Sequence, residues 1–99
     1  MKTIQKIKVE NMCSPRGNRE VPNQFIISVY DENGNLHEFF QSYRSVIAYR
    51  DMRGNVMLDR NKWDFSTTTG KYRNQFLNEG IEETRKKIAE GKYVLDDLN

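Results

Sequence analysis

The alternation of apolar and polar side chains predicts strands over the first two thirds of the chain. Residues 3–10 alternate, with Ile7 and Val9 on one face and charged side chains on the other, which is the period-two pattern of a half-buried strand. Ile4 breaks this phase, so the strand either begins at Gln5 or carries a bulge near its start. The N-terminal segment is therefore expected to place one face against a core.

A second strand and a hairpin follow a long polar stretch. Residues 11–23 contain two prolines and a glycine, which predicts a surface loop. Residues 25–30 are a nearly continuous run of β-branched and aromatic side chains, typical of a central strand covered on both faces. The Asn33-Gly34 pair is a strong hairpin signal, so residues 36–42 are expected to pair back on that strand.

Residues 41–63 read as the hairpin around which the rest of the chain is organised. Residues 46–49 are rich in β-formers, Arg53-Gly54-Asn55 supplies turn chemistry, and residues 56–58 return before a lone Trp63. Ser45 also fits the N-cap of a short helix over residues 46–50, but β-propensity favours a strand.

The last third changes to a helical pattern. Asp64 or Ser66 can accept from free backbone N–H groups and open a helix running towards residue 78, while Gly80 ends or kinks it. Residues 81–90 predict a second helix, with Gly91 as its C′ residue. Residues 93–95 either dock on the fold or add an edge strand. On the first helix, three side chains share one face: Thr69, Tyr72 and Phe76.

These elements predict an α+β fold, with an antiparallel sheet of four or five strands followed by two C-terminal helices packed on one face. A length of 99 residues suits a single domain, residues 1–99. Because one helix pair shields one side of a sheet, the other face must be solvated or occupied by a partner. The predicted core consists of Phe25, Ile27, Val46, Ile47, Leu58, Trp63, Tyr72, Phe76 and Ile88.

The composition limits the kinds of chemical site that the chain can form. One cysteine, Cys13, and one histidine, His37, cannot build a disulfide framework or a conventional zinc site. We therefore expect no metal, no cofactor and no catalytic turnover. The start of the chain has no signal-peptide pattern and no run approaches the roughly 20 apolar residues of a membrane span, so a cytoplasmic protein with no membrane partner is expected.

The formal net charge is +2, too small for a histone-like binder and of the wrong sign for a DNA mimic. Cations concentrate in residues 40–78, whereas residues 79–99 are mildly acidic. Guanidinium groups interleaved with aromatic rings suit single-stranded nucleic acid, through phosphate attraction and base stacking. A core role for the rings and a solvated role for the charges is the competing interpretation. The candidate binding residues are Tyr43, Arg44, Tyr49, Arg50, Arg53, Arg60, Lys62, Lys71 and Arg73.

Other constellations have simpler explanations. His37 and Glu38 are neighbours on a strand and therefore point to opposite faces, so His37 is expected to be a surface histidine rather than part of an acid–base pair. The hydroxyls of residues 66–69 fit helix capping better than a phosphate loop, since the leading glycine is absent. Cys13 lies near two arginines, but no base accompanies it.

Four segments, PNQFIISV, FFQSYRSVIAYRD, VMLDRNKWDFSTTTGKYRNQFL and EGIEETRKKI, resemble a family of small uncharacterised proteins of bacteriophages and prophages. The resemblance covers most of the chain after Val21, whereas residues 11–20 look peculiar to this member. The family has no assigned activity, so no site residue carries over.

A phage origin implies, by analogy, a non-enzymatic protein that binds a host macromolecule in the bacterial cytoplasm. The expectation is a defence inhibitor of the anti-CRISPR type that binds a CRISPR ribonucleoprotein or its guide RNA. The alternatives are a general RNA- or DNA-binding accessory protein, or a small virion or assembly component with an oligomerising surface. The target and the oligomeric state are not readable from the sequence.

Overall fold

The computed structural model describes residues 3–17 and 19–99, which form one six-stranded sheet and two helices. The strands lie in the sheet in chain order. The elements are β1 (Ile4–Cys13), β2 (Glu20–Asp31), β3 (Leu36–Ser42), β4 (Ser45–Arg50), β5 (Val56–Asp59), α1 (Thr67–Leu77), α2 (Ile81–Ala89) and β6 (Tyr93–Asp96). The α+β class and the two helices are as expected.

The sheet differs from the expected one in its last strand. Strands β1 to β5 are antiparallel neighbours, but β6 follows the helices and pairs parallel with β5, from Val56 with Tyr93 to Asp59 with Asp96. A parallel neighbour requires a long crossover, which α1 and α2 supply. The sheet is therefore mixed and six-stranded, and the prediction of four or five antiparallel strands is wrong in that detail.

The predicted loop over residues 11–23 is largely strand. β1 continues to Cys13 and β2 starts at Glu20, so the connection shrinks to residues 14–19, of which residue 18 lies outside the described part. Pro22 is tolerated because the pairing of β2 with β3 begins only at Gln24. A register shift between Ile4 and Lys6 resolves the broken phase at the start of β1 as a bulge.

The β2–β3 and β4–β5 hairpins are closed by the same five-residue pattern, Asp-x-x-Gly-Asn. In each turn the glycine has a positive φ, 77° at Gly34 and 87° at Gly54. The leading aspartates, Asp31 and Asp51, accept backbone N–H groups two and four residues later at 2.9 to 3.0 Å. Both predicted turns are confirmed.

The helices begin and end where short-range chemistry allows. Ser66, rather than Asp64, caps α1, because its hydroxyl accepts from the Thr69 N–H at 3.1 Å. α1 ends at Leu77, where Asn78 takes a left-handed conformation, and Gly80 is the N-cap of α2 instead of the end of α1. Neither helix in the described part of the chain has the length and apolarity needed to cross a bilayer.

One face of the sheet is covered by α1. Across it runs a row of neighbouring side chains, one each from β2 to β6: Ile26, Phe40, Ala48, Leu58 and Leu95. Tyr72, Phe76 and Leu77 of α1 join the same buried cluster. The predicted core positions Ile47, Leu58, Tyr72 and Phe76 are confirmed, whereas Trp63 and Ile88 are half-buried at its margin.

Neither helix of the described residues covers the other face. The register places one side chain from each strand in a second row: Val9, Ile27, Phe39, Tyr49, Met57 and Val94. Beside this row on the same face lie Ile4, Ile7, Phe25, Val29 and Val46, and these eleven residues are called the open face. Phe25, Ile27 and Val46 therefore do not belong to the helix-covered core, and β2 is not covered on both faces as expected. The shortest dimension, 21 Å, is that of one helix layer on one sheet.

Candidate functional site

The nine residues expected to form one basic and aromatic patch lie in separate places on the fold. One holds α1 to the sheet, one is buried between α1 and the segment after β5, one lies on the open face, one lies in a turn at the far end of the sheet, one lies on the exposed side of α1, and four share the near end. A single continuous patch is therefore not formed.

Arg50 and Arg73 are parts of the folded framework. Arg50 donates to the Phe76 carbonyl at 2.8 Å and to the Glu38 carboxylate at 3.2 and 3.3 Å, with its guanidinium 4.3 Å from the centre of the Phe76 ring. Arg73 is 1% exposed and donates to the Trp63 carbonyl at 2.8 Å. Their expected role at a partner-facing surface is wrong for Arg73, and for Arg50 it competes with contacts already made.

Three further candidates are dispersed. Tyr49 lies on the open face, and Arg53 occupies the β4–β5 turn, where its backbone N–H donates to Asp51. Lys71 is on the exposed side of α1, with its ammonium 5.4 Å from the centre of the Tyr72 ring, and it lines a groove with Ser14, Pro15 and Arg16. The three residues therefore lie on three different elements of the fold.

The remaining four candidates lie together because of the sheet topology. β4 begins where antiparallel β5 ends, so the turn before β4 and the segment after β5 meet at one end of the sheet. Lys62 joins the two segments directly, donating from Nζ to the Ser45 hydroxyl at 2.8 Å. We call this surface the cationic end: Tyr43, Arg44, Arg60, Lys62 and Phe65.

Phe65 is the member that the sequence did not single out. It is 51% exposed and lines a groove of about 400 Å³ with Tyr43 and Arg44. Its position gives a usable signal, because it precedes the Ser66 cap and so falls outside the apolar stripe of α1. Tyr43, at 52% exposed, supplies the second ring of the groove.

The backbone of Tyr43 is held in the left-handed region, with φ of 56°. A non-glycine residue with positive φ is uncommon and persists where surrounding contacts fix it. Here the Tyr43 N–H donates to the Asn23 carbonyl at 2.7 Å, and the Tyr43 carbonyl accepts from the Gln41 amide at 2.7 Å. The turn therefore presents the Tyr43 and Arg44 side chains from a constrained backbone.

A larger cavity of about 650 Å³ opens beside the start of α1, and the acidic side chain that lines it is already paired. Asp64 accepts from Arg73 at 3.0 Å and lies 3.8 Å from Arg85. The N-cap hydroxyl of Ser66 is used by Thr69. No activated nucleophile lines this cavity in the described part of the chain.

His37 is not the surface histidine that the sequence predicted, since its side chain is only 14% exposed. Nδ1 lies 2.7 Å from the Tyr49 hydroxyl and Nε2 lies 3.2 Å from the Asp31 carboxylate. Burial disfavours the Asp31 carboxylate, but hydrogen bonds from Asn35, His37 and Asn33 outweigh it and lower its pKa. Burial, followed by the nearby Asp51 charge, raises the pKa of Tyr49. Glu38 points to the other face, as expected.

This His37 network is a closed set of hydrogen bonds rather than a reactive constellation. His37 bridges two partners, which engage both of its ring nitrogens. Cys13 is exposed and unpaired with any other cysteine. Among residues 3–17 and 19–99, no group of three metal-ligating side chains converges. The structure presents two distinct exposed surfaces, the cationic end and the open face.

Comparison with known proteins places the chain without assigning it an activity. No curated protein and no solved structure matches it significantly. A family model matches residues 7–93, which extends the resemblance towards the N-terminus and includes the β1–β2 connection. The chain belongs to DUF8033, a family of unknown function.

Proposed function

We propose that this chain is a phage-encoded, non-enzymatic binding protein that acts in the bacterial cytoplasm as a defence inhibitor of the anti-CRISPR type. Its target is a CRISPR ribonucleoprotein or the guide RNA within it, and the cationic end is the surface that binds. The observation that carries the proposal is the exposure of Tyr43 and Phe65 beside a cluster of cations at one end of the sheet. Rings stack on bases while cations attract phosphates.

The charges of the cationic end are available to an anionic partner. In the described part of the chain, Arg44 and Lys62 make no ion pair. Arg60 lies 3.8 Å from Asp96, and both side chains are more than half exposed. Such a surface pair contributes little and yields to a phosphate.

The test is a salt titration of binding to single-stranded RNA and to an RNA-loaded CRISPR complex. Arg44→Glu and Arg53→Glu form a matched pair, because both arginines are exposed in turns between strands but lie at opposite ends of the sheet. Arg44→Glu is expected to weaken binding about tenfold and to lower the logarithmic salt slope by roughly 0.7, the value for one lost single-strand phosphate contact. Arg53→Glu is expected to change neither.

Equal losses from the two variants would show that net charge, rather than the cationic end, governs binding. Equal affinity for naked RNA and for the loaded complex would favour a general RNA- or DNA-binding accessory protein. If the protein bound neither the naked RNA nor the loaded complex, a nucleic-acid target would be ruled out.

A second candidate function is a small virion or assembly component. The open face favours it, because an oligomerising protein needs an apolar surface that the isolated chain leaves uncovered. Assembly into particles or long oligomers in the absence of RNA would support this candidate over the first.

A further inference from the structure

The exposed apolar surface of the protein is concentrated on the open face. Among residues 3–17 and 19–99, seven large hydrophobic side chains are at least half exposed, and four of them lie there: Ile4 at 50%, Ile7 at 56%, Val9 at 59% and Val94 at 51%. Single exposed hydrophobics are ordinary on protein surfaces, but a contiguous apolar surface marks an interaction site.

The alternation of side chains along β1 indicates which face of the sheet is shielded from solvent. Lys6, Lys8 and Glu10 point to the helix side of the sheet, where they remain exposed, while Ile7 and Val9 point to the open face. Glu10 and Lys8 pair with each other in solvent at 2.6 Å. A strand wet on both faces has no reason to alternate, so the alternation indicates that the open face is covered.

Covering the open face buries little additional charge. Asp31 and His37 lie beside it and are bonded to each other, His37 is also bonded to Tyr49, and the Asp31 side chain is already only 3% exposed. At its margin Asp96 faces Arg60. Burial is costly for a lone charge but not for an apolar surface whose few polar groups are already satisfied.

We propose that two copies of this chain associate through the open face, sheet against sheet about a two-fold axis. A two-fold interface opposes the patch to a copy of itself, so it suits the open face, whose eleven residues include no charged side chain. The six-residue row lets the two sheets interdigitate along its full width, in the manner of a β-sandwich with sheets about 10 Å apart.

The size of the face fits such an interface. Six strands about 4.8 Å apart and roughly seven residues long cover on the order of 700 Å². A stable protein–protein interface buries about 800 Å² per partner. The open face therefore supplies nearly the whole area that a dimer needs, without help from the sheet edges or from the cationic end.

The mass in solution tests the proposal. Light scattering on size-exclusion fractions is expected to give twice the 11.7 kDa chain mass at micromolar concentrations. Val9→Lys and Val94→Lys, on opposite edges of the sheet, are each expected to raise the dissociation constant at least about 100-fold, because each places an unpaired charge in the apolar interface. Glu10→Lys is the matched control, since it places the same side chain one residue away on the other face of β1 and is expected to leave the dimer intact.

Three results would overturn the proposal: a monomeric wild type at 100 µM, equal dissociation by Glu10→Lys and Val9→Lys, or a dimer that survives Val94→Lys. The last two point to pairing of β1 edges instead of faces. Should a lysine variant fail to fold, the wild type alone decides, because the melting temperature of a dimer rises with protein concentration. A melting temperature unchanged over a 100-fold concentration range contradicts the dimer, and the face is then left for a different protein.

Discussion

The two faces of the sheet are built from similar side chains but meet different surroundings. The helix-covered row contains Phe40, Ala48 and Leu58, all fully buried, and the open row contains Phe39, Tyr49 and Met57, all half-buried. The difference arises from the chain path, because the β5–β6 crossover carries both helices to one side. The apolar pattern thus specifies which side chains must be shielded from water. The connections between the strands determine which of the two faces the chain's own helices can shield.

The contrast is sharpest at the β1–β2 edge, where the helices do not reach. There the helix side bears Lys6, Lys8 and Ser28, whereas the open side bears Ile7 and Val29. At this edge, polar residues thus lie on the same face of the sheet as the main core. The open face is the more consistently apolar of the two across all six strands, which is the basis for the proposed dimer.

The largest expected effect comes from truncating neighbouring phenylalanines on opposite faces. Phe40→Ala removes a fully buried ring stacked on Phe76 at 6.0 Å and is expected to lower the free energy of unfolding by about 3 to 5 kcal/mol. Phe39→Ala removes a ring whose centre lies 5.0 Å from the centre of the Tyr49 ring. The expected loss in the free energy of unfolding is about half of that for Phe40→Ala. Denaturant unfolding measures both.

The dependence of these two stability losses on protein concentration distinguishes the two faces further. The Phe39→Ala loss is expected to shrink on dilution, since part of it comes from the dimer, whereas the Phe40→Ala loss stays constant. Equal losses at every concentration would mean that the open face contributes to stability only within one chain.

Arg73→Met tests how firmly α1 is held on the covered face. The guanidinium donates to the Trp63 carbonyl, the Asp64 carboxylate and the Asn74 amide oxygen, and it lies 5.3 Å from the centre of the Trp63 ring. Asp64 is 38% exposed and so is not stranded when Arg73 is removed. The expected loss is about 2 kcal/mol by thermal or denaturant unfolding. An unchanged midpoint would show that these hydrogen bonds add no stability to the covered face.

Local patterns predicted most of this fold. The Gly34 and Gly54 turns, the bulge near Ile4 and the stripe of Thr69, Tyr72 and Phe76 each depend on short-range chemistry, and each is found where expected. The parallel return of β6 could not be predicted, because residues 93–96 carry no mark of which strand they join. The extension of β1 and β2 was missed since Pro15 and Pro22 read as loop formers.

The candidate site was less predictable because function depends on which side chains remain exposed. Arg44 and Arg73 look alike in the sequence, yet one is exposed in a turn and the other is buried against Trp63. His37 was expected on the surface, but its partners come from two other strands. Long-range contacts of this kind set the burial of a charged residue and have no local pattern.

Glu79 links the helix layer to the edge of the sheet, and its charge gives a pH test. Its carboxylate accepts from Thr84 at 2.6 Å, from Lys87 at 2.7 Å and from Tyr93 of β6 at 2.8 Å. Burial disfavours the carboxylate, but these hydrogen bonds outweigh it, so the pKa of Glu79 lies below its ordinary value of 4.5. Its stabilising effect is therefore complete above pH 4.5 and is lost as the pH falls through the folded-state pKa.

Glu79→Gln is accordingly expected to lower the free energy of unfolding by about 1.5 kcal/mol at pH 7. The difference from the wild type should narrow below pH 4.5, where the wild-type carboxylate also becomes neutral. Urea unfolding at a series of pH values measures this. A difference that stays constant down to pH 3 would show that packing, rather than charge, accounts for the role of Glu79.

The smallest expected effect tests a polar residue on the covered face. Gln24 is fully buried opposite Ser42, and its amide nitrogen and oxygen have no hydrogen-bond partner among the described residues. Ser42 differs, because its hydroxyl lies 3.0 Å from that of Thr69. Since an unsatisfied buried amide costs free energy, Gln24→Met, which keeps the length of the side chain, is expected to stabilise the fold by about 1 kcal/mol.

Ser42→Ala is the matched control for Gln24→Met, because it removes a bonded polar group from the same cross-strand pair and is expected to destabilise by about 1 kcal/mol. For a domain of this size, 1 kcal/mol corresponds to a shift of roughly 4 to 8 °C in Tm, so calorimetry resolves both changes and their opposite signs. A lower Tm for Gln24→Met would mean that the Gln24 amide is satisfied in solution. The helix-covered core would then contain a satisfied polar contact at β2, and only its part from β3 onwards would be free of water.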